Sequence, residues 1–155
     1  MCNKNICFLN VTINNDEHHI SMDINVDKKK LYCYERVTSI EYELGYMENN
    51  EYIIDKKSKT TLMKPRCAYF NINHKLSVDK GTDPEKFLLK FINQLKKINI
   101  IICNNARFTL NSLLSETVRY NIPFDLNKFL IIDLPDNNNK KLKEQFFDIY
   151  EKIEI

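Results

Sequence analysis

Asn99-Ile100-Ile101-Ile102-Cys103-Asn104-Asn105-Ala106-Arg107-Phe108-Thr109-Leu110-Asn111-Ser112-Leu113-Leu114 changes period in its middle. The run from Asn99 to Cys103 is short, continuous and apolar, the pattern of a strand buried on both faces. From about Ala106 to Tyr120 the apolar side chains Leu110, Leu113, Leu114 and Val118 recur at helical spacing. Asn121-Ile122-Pro123 stops the helix, because proline has no N–H to continue the ladder. A strand running straight into a helix is the repeating unit of an α/β fold.

The same alternation extends toward the C-terminus. Phe129-Leu130-Ile131-Ile132-Asp133-Leu134 reads as another buried strand, Pro135 to Asn139 as a polar loop, and Leu142, Phe146, Ile149, Tyr150 and Ile153 as the buried stripe of a last helix. On the N-terminal side, Thr82-Asp83-Pro84-Glu85 opens a helix with a capping hydroxyl or carboxylate, an early proline and a glutamate placed for a capping box. Phe87, Leu88, Phe91, Ile92, Leu95 and Ile98 follow as its apolar stripe, with Lys96-Lys97 where cations suit the helix dipole.

The first half is extended. Ile6 to Ile13 is a short β-branched run, broken by the amide of Asn10 and ended by Asn14-Asn15-Asp16-Glu17. His19 to Val26 alternates, and Leu31 to Tyr46 carries Val37, Ile40, Tyr42 and Leu44. Gly45 to Asn50 reads as a turn, after which Tyr52-Ile53-Ile54 and Thr60 to Met63 continue the extended pattern. The expected fold is α/β: a mixed sheet with three N-terminal strands, then α-β-α-β-α, with helices on its faces, all in one domain spanning residues 1–155.

Composition bounds the function. The chain has 155 residues, 43% hydrophobic and 28% charged, ordinary values for a globular domain. No apolar run approaches the roughly 20 residues of a membrane span, and the N-terminus lacks a signal-peptide plan, so an intracellular, cytoplasmic or nuclear location without a membrane partner is expected. Five cysteines, Cys2, Cys7, Cys33, Cys67 and Cys103, are odd in number and widely spaced. They read as reduced thiols acting as small apolar residues. A net charge of +2 does not imply a nucleic-acid partner. With only Gly45 and Gly81 there is no glycine-rich phosphate loop, and no nucleophile elbow or zinc-binding helix motif occurs.

Several stretches, taken in order, resemble the DEDD-type 3′–5′ exonucleases of the ribonuclease-H-like fold, in their proofreading-subunit and ribonuclease T branch. They are Phe8-Leu9-Asn10-Val11-Thr12, Val37 to Leu44, Lys64-Pro65, Thr82 to Glu85, and Phe129 to Asp133. Cys103-Asn104-Asn105-Ala106-Arg107-Phe108-Thr109, followed by Leu113, Leu114, Glu116 and Arg119, is similar to the family's second motif, where an Asn-Ala-x-Phe turn delivers an aspartate. The resemblance implies a ribonuclease-H-like sheet and, in an intact member, two divalent metals held by carboxylates.

The carboxylates are replaced here. The first strand's acidic pair falls on Asn10 and Thr12, the second motif's aspartate on Thr109, and no histidine follows His74, so the last motif is missing. Neutral oxygens bring no charge to offset two cations, and neutral residues remove the repulsion of clustered acids. The resemblance therefore implies a catalytically inactive exonuclease-like domain, a pseudoenzyme without metal cofactor, serving as a protein-interaction or nucleic-acid-binding subunit in replication, repair or RNA handling. The alternative is a metal-dependent 3′–5′ exonuclease, using Mg²⁺ or Mn²⁺, whose site is rebuilt or completed by a partner. Asp16, Glu17, His18, His19, Asp125 and Asp133 are the residues for such rebuilding. Asp133 leads them, with capping of a helix or loop as its competing role.

Binding would fall to other side chains. Lys28, Lys29, Lys30, Lys56, Lys57, Lys59, Lys64, Arg66, His74 and Lys75, with the rings of Tyr69 and Phe70, form the set that suits single-stranded nucleic acid; solvated lysine faces are their plain alternative. A protein partner or a homodimer is the other expected association.

Overall fold

The computed structural model describes residues 4–13, 37–57, 61–62, 83–136 and 139–150. Its strands are β1 (Lys4–Ile13), β2 (Val37–Glu48), β3 (Glu51–Lys57), β4 (Thr61–Leu62), β5 (Ile100–Asn104) and β6 (Leu130–Leu134). The helices are α1 (Pro84–Gln94), α2 (Ala106–Arg119) and α3 (Leu142–Ile149), with short 3₁₀ turns at Leu95–Lys97 and Leu126–Lys128. Five strands form one mixed sheet in the order β3-β2-β1-β5-β6, and β4 pairs with β2. β1, β2 and β3 are antiparallel neighbours. β5 lies parallel to β1, and β6 parallel to β5.

Alternation along the strands builds two cores. Cys7, Leu9, Val11, Ile40, Tyr42, Leu44, Ile101 and Cys103 face α1 and α2, meeting Leu88, Phe91, Leu95, Leu110 and Leu113. Ile6, Phe8, Met47, Ile100, Ile102 and Leu134 face the other way, toward Phe146 of α3. β5 feeds both cores, which is why it reads as a continuous apolar run. Fully burying a ring such as Phe146 is worth about 1.5–3 kcal/mol. Around it Phe8, Phe147 and Tyr150 pack edge-on, and Tyr52 packs against Phe8 and Phe147.

Asparagine supplies the left-handed turns that glycine usually makes. Asn49 and Asn50, at φ 52° and 64°, form the two-residue turn of the β2–β3 hairpin. Asn105, at φ 48°, turns β5 into α2 within a single residue, and Asn121, at φ 54°, closes α2. At α1 the cap is Asp83, whose Oδ1 accepts the Glu85 N–H at 3.3 Å. Glu85 is therefore one position too early to close a capping box.

Two further expectations need correction. The turn expected at Gly45 to Asn50 is confined to Asn49-Asn50, since β2 continues to Glu48. Gly45 is a strand glycine: a Cβ there would lie 2.5 Å from the Tyr52 Oη and 2.6 Å from the Ile53 carbonyl oxygen. β6 is not buried on both faces but forms an edge, with Leu130 48% exposed and Asp133 exposed. Its apolar composition matches a central strand, and composition does not encode sheet order. The extended segment expected at His19 to Val26, the start at Leu31, and Ile153 lie outside the described residues.

Candidate functional site

The sheet face that carries α3 is longer than α3 can cover. β1 continues past Phe8 to Asn10 and Thr12 on that face, β2 places Glu43 and Glu41 beside them, and β5 ends in Asn104. A cleft of about 480 Å³ opens there, between this floor and the segment leading into α3. Phe8, Asn10, Glu41, Glu43 and Asn104 line its sheet side, and Asp136, Lys140, Lys141, Leu142 and Lys143 the opposite wall. Its charges balance: Glu41, Glu43 and Asp136 against Lys140, Lys141 and Lys143.

Several of these groups are already engaged. Glu43, nearly buried, accepts the Tyr52 hydroxyl at 2.8 Å and the Lys143 ammonium at 3.1 Å. The Lys143 Nζ also sits 5.5 Å from the centre of the Tyr52 ring. Burial first, then the hydrogen bond to Glu43, pushes the Tyr52 phenol far above its ordinary value, so it remains a donor. Lys140 pairs with Asp148 of α3, which raises its pKa. The Asn104 Nδ2 faces the Leu134 and Pro135 carbonyls, each at 3.0 Å, and the Gln145 Oε1 at 3.1 Å. Gln145 in turn donates to the Pro135 carbonyl at 2.7 Å. Asn104 thus ties the end of β5 to β6 and α3.

The three positions that the resemblance singles out do not share one surface. Asn10 is exposed and lines the cleft. Thr12 lies one strand step further along the same face, exposed and outside the cleft lining. Thr109 is buried in the first turn of α2, where its hydroxyl donates to the Asn104 carbonyl at 2.9 Å. It reaches the cleft only through Asn104. Among the described residues no three His, Cys, Asp or Glu side chains stand close enough together to hold a metal ion.

Asp133 and Asp125 both act as caps. The Asp133 Oδ1 accepts the Ala106 N–H at 3.0 Å, at the N-terminus of α2, where Asn105 makes no side-chain cap of its own. Asp125 accepts from the Asn127 N–H at 3.0 Å. Glu116, inside the resembled motif, is fully buried: its Oε1 accepts the Val37 N–H at 3.0 Å and pairs with the Arg119 guanidinium at 3.1 Å. It fastens the start of β2 to α2. Cys7 and Cys103 are free and buried. Burial, then the Asp133 carboxylate, pushes the Cys103 thiol up to about 12; burial, then Cys103, pushes Cys7 higher still.

Of the expected basic set, Lys56 and Lys57 stand on β3, with Lys56 exposed and outside the cleft lining; Lys28, Lys29, Lys30, Lys59, Lys64, Arg66, Tyr69, Phe70, His74 and Lys75 lie outside the described residues, as do Asp16, Glu17, His18 and His19. The cleft residues that sequence reading passed over are Glu41, Glu43, Asn104, Asp136, Lys140, Lys141 and Lys143. Two glutamates at i and i+2 within the apolar strand Val37 to Met47 were the available signal, since that spacing sets both on one face. The lysines before the last helix carried no signal beyond their clustering.

No protein-family model matches this chain, and no curated protein matches it. Among the described residues no helix is long and apolar enough to cross a membrane.

Proposed function

We propose that this chain is a non-catalytic binding subunit on an exonuclease-like, ribonuclease-H-like scaffold, and that a protein partner occupies its cleft. The observation that carries the reading is the state of the cleft floor. On it Asn10 stands where the resemblance calls for a metal-holding carboxylate, while Thr109, the position of another, lies buried behind the cleft with its hydroxyl turned to the Asn104 carbonyl. The best-buried acid nearby, Glu43, is held by Lys143 and Tyr52. Among the described residues the element order, antiparallel strands β1 to β4 followed by α-β-α-β-α, is compatible with the scaffold part. Equal numbers of acids and lysines in the cleft favour a polar protein segment over a polyanion.

A second reading keeps chemistry. Glu41 and Asp136 line the same cleft as Asn10, so an intact Mg²⁺- or Mn²⁺-dependent exonuclease site could be completed by a carboxylate from a partner. The two readings separate by thermal unfolding with and without millimolar Mn²⁺. A binding subunit keeps its Tm, whereas a site that holds the ion raises it by mass action. Nucleic acid as the occupant is tested by fluorescence anisotropy of a labelled single strand. Affinity falling about a thousandfold or more between about 50 and 200 mM salt would replace the protein partner with a polyanion.

A further inference from the structure

The sheet has two edges of opposite character. β3 exposes Ile54 as fully as β6 exposes Leu130, but flanks it with Glu51, Asp55 and Lys56, exposed charges that discourage pairing with another strand. β6 reads Leu130-Ile131-Ile132-Asp133-Leu134, and its one charge is committed to capping α2. Among the described residues no strand pairs with its outer side, and Leu130 is 48% exposed. The Leu130 N–H donates inward, to the Asn99 carbonyl at 2.9 Å. Strand alternation therefore turns the N–H and C=O groups of Ile131 and Asp133 outward.

We infer that a second copy of this chain pairs its own β6 antiparallel across this edge, continuing the sheet from one copy into the other. Charge selects the occupant. Lys128 stands just before the strand and Asp136 just after it, both exposed. In an antiparallel self-pairing centred on Ile132, the Lys128 end of each strand meets the Asp136 end of the other. The same register sets Ile132 beside Ile132 and Leu130 beside Leu134, and exchanges about four backbone hydrogen bonds through Ile131 and Asp133. Slipping one way brings Asp133 against Asp133, a like-charge pair; slipping the other way sets Lys128 against Leu134. Only the Ile132-centred register pairs cation with anion at both ends while setting Ile132 and Leu130 against apolar partners; it places Ile131 opposite Asp133, whose carboxylate is turned to the Ala106 N–H. Asp136 is shared with the cleft wall, whereas Lys128 and Leu130 lie outside the cleft lining.

Sedimentation equilibrium of the full chain tests it. A reversible dimer is expected, weakened at least tenfold by Leu130→Lys and by Lys128→Glu, and restored when Lys128→Glu is combined with Asp136→Lys. Both single changes lie at exposed positions, and circular dichroism verifies folding; if one variant fails to fold, the other decides. A protein that stays monomeric to its solubility limit overturns the proposal, as does a dimer indifferent to both substitutions. Failure of the charge swap to restore association overturns the register. A monomer whose Ile131 and Asp133 amides are protected from hydrogen exchange assigns the edge to another segment of the chain, and overturns it too.

Discussion

Replacing Glu116 by alanine tests whether the acid inside the resembled motif serves structure. The carboxylate is fully buried, accepts the Val37 N–H at 3.0 Å and pairs with Arg119 at 3.1 Å. Its removal strips the acceptor from a backbone donor, about 1–3 kcal/mol, and breaks an ion pair whose other member is only 14% exposed. Together the loss is about 3–5 kcal/mol, as for other broken buried pairs. That is a large share of the roughly 5–15 kcal/mol that holds a domain folded, and it lowers Tm by about 6–20 °C at this chain length. Glu116→Gln keeps an oxygen for Val37 and loses only the charge assistance, about 1–2 kcal/mol. Urea unfolding followed by circular dichroism gives both values, and a cycle with Arg119→Ala isolates the pair. An alanine variant that loses under about 1 kcal/mol, or a glutamine variant as damaged as the alanine one, would refute the clamp between α2 and β2.

Other substitutions probe the remaining joints. Gly45→Ala drives a Cβ to 2.6 Å from the Ile53 carbonyl oxygen and should cost about 1–3 kcal/mol in urea unfolding, with part of the cost persisting in a Tyr52→Ala background because the backbone contact remains. Asp133→Ala should cost about 1 kcal/mol through loss of the α2 cap, and Asp133→Asn less; equal stability of all three proteins would remove the cap. Cys103 and Cys7 should resist iodoacetamide at pH 8 in the native state and react on unfolding, as mapped by mass spectrometry. Their raised pKa values also set a pH dependence. Below the ordinary thiol value of 9.0 both states keep their protons, and between 9.0 and about 12 the unfolded chain releases protons that the native chain holds. Stability should therefore fall as pH rises through that window, less steeply in a Cys103→Ser variant.

The parts of the fold that sequence made legible are those whose physics is local. Helical spacing located α1, α2 and α3, and the apolar run Ile100 to Cys103 announced a strand covered on both sides. Non-local facts were hidden. Phe129 to Leu134 has a composition like that of Asn99 to Cys103, yet one strand is an edge and the other is central, because sheet order depends on which strands pair. Gly45 looked like punctuation because the ring that demands its missing side chain, Tyr52, comes from the next strand. The site divides in the same way. Asn10 was singled out by resemblance and does line the cleft, whereas Glu43 and Lys143, 100 residues apart in sequence, meet only in the folded chain. Asp133 reads in sequence as a ligand or a cap; its engagement with Ala106 follows from β6 ending beside the N-terminus of α2.

The most direct test of a non-catalytic domain is incubation of the purified chain with 5′-labelled single-stranded DNA and RNA in the presence of Mn²⁺ or Mg²⁺, read on a sequencing gel. Strands that stay full-length, at chain concentrations equal to substrate, are the expected result. Cation-dependent shortening from the 3′ end that disappears in Glu41→Gln or Asp136→Asn variants would contradict it, and would assign the cleft to catalysis.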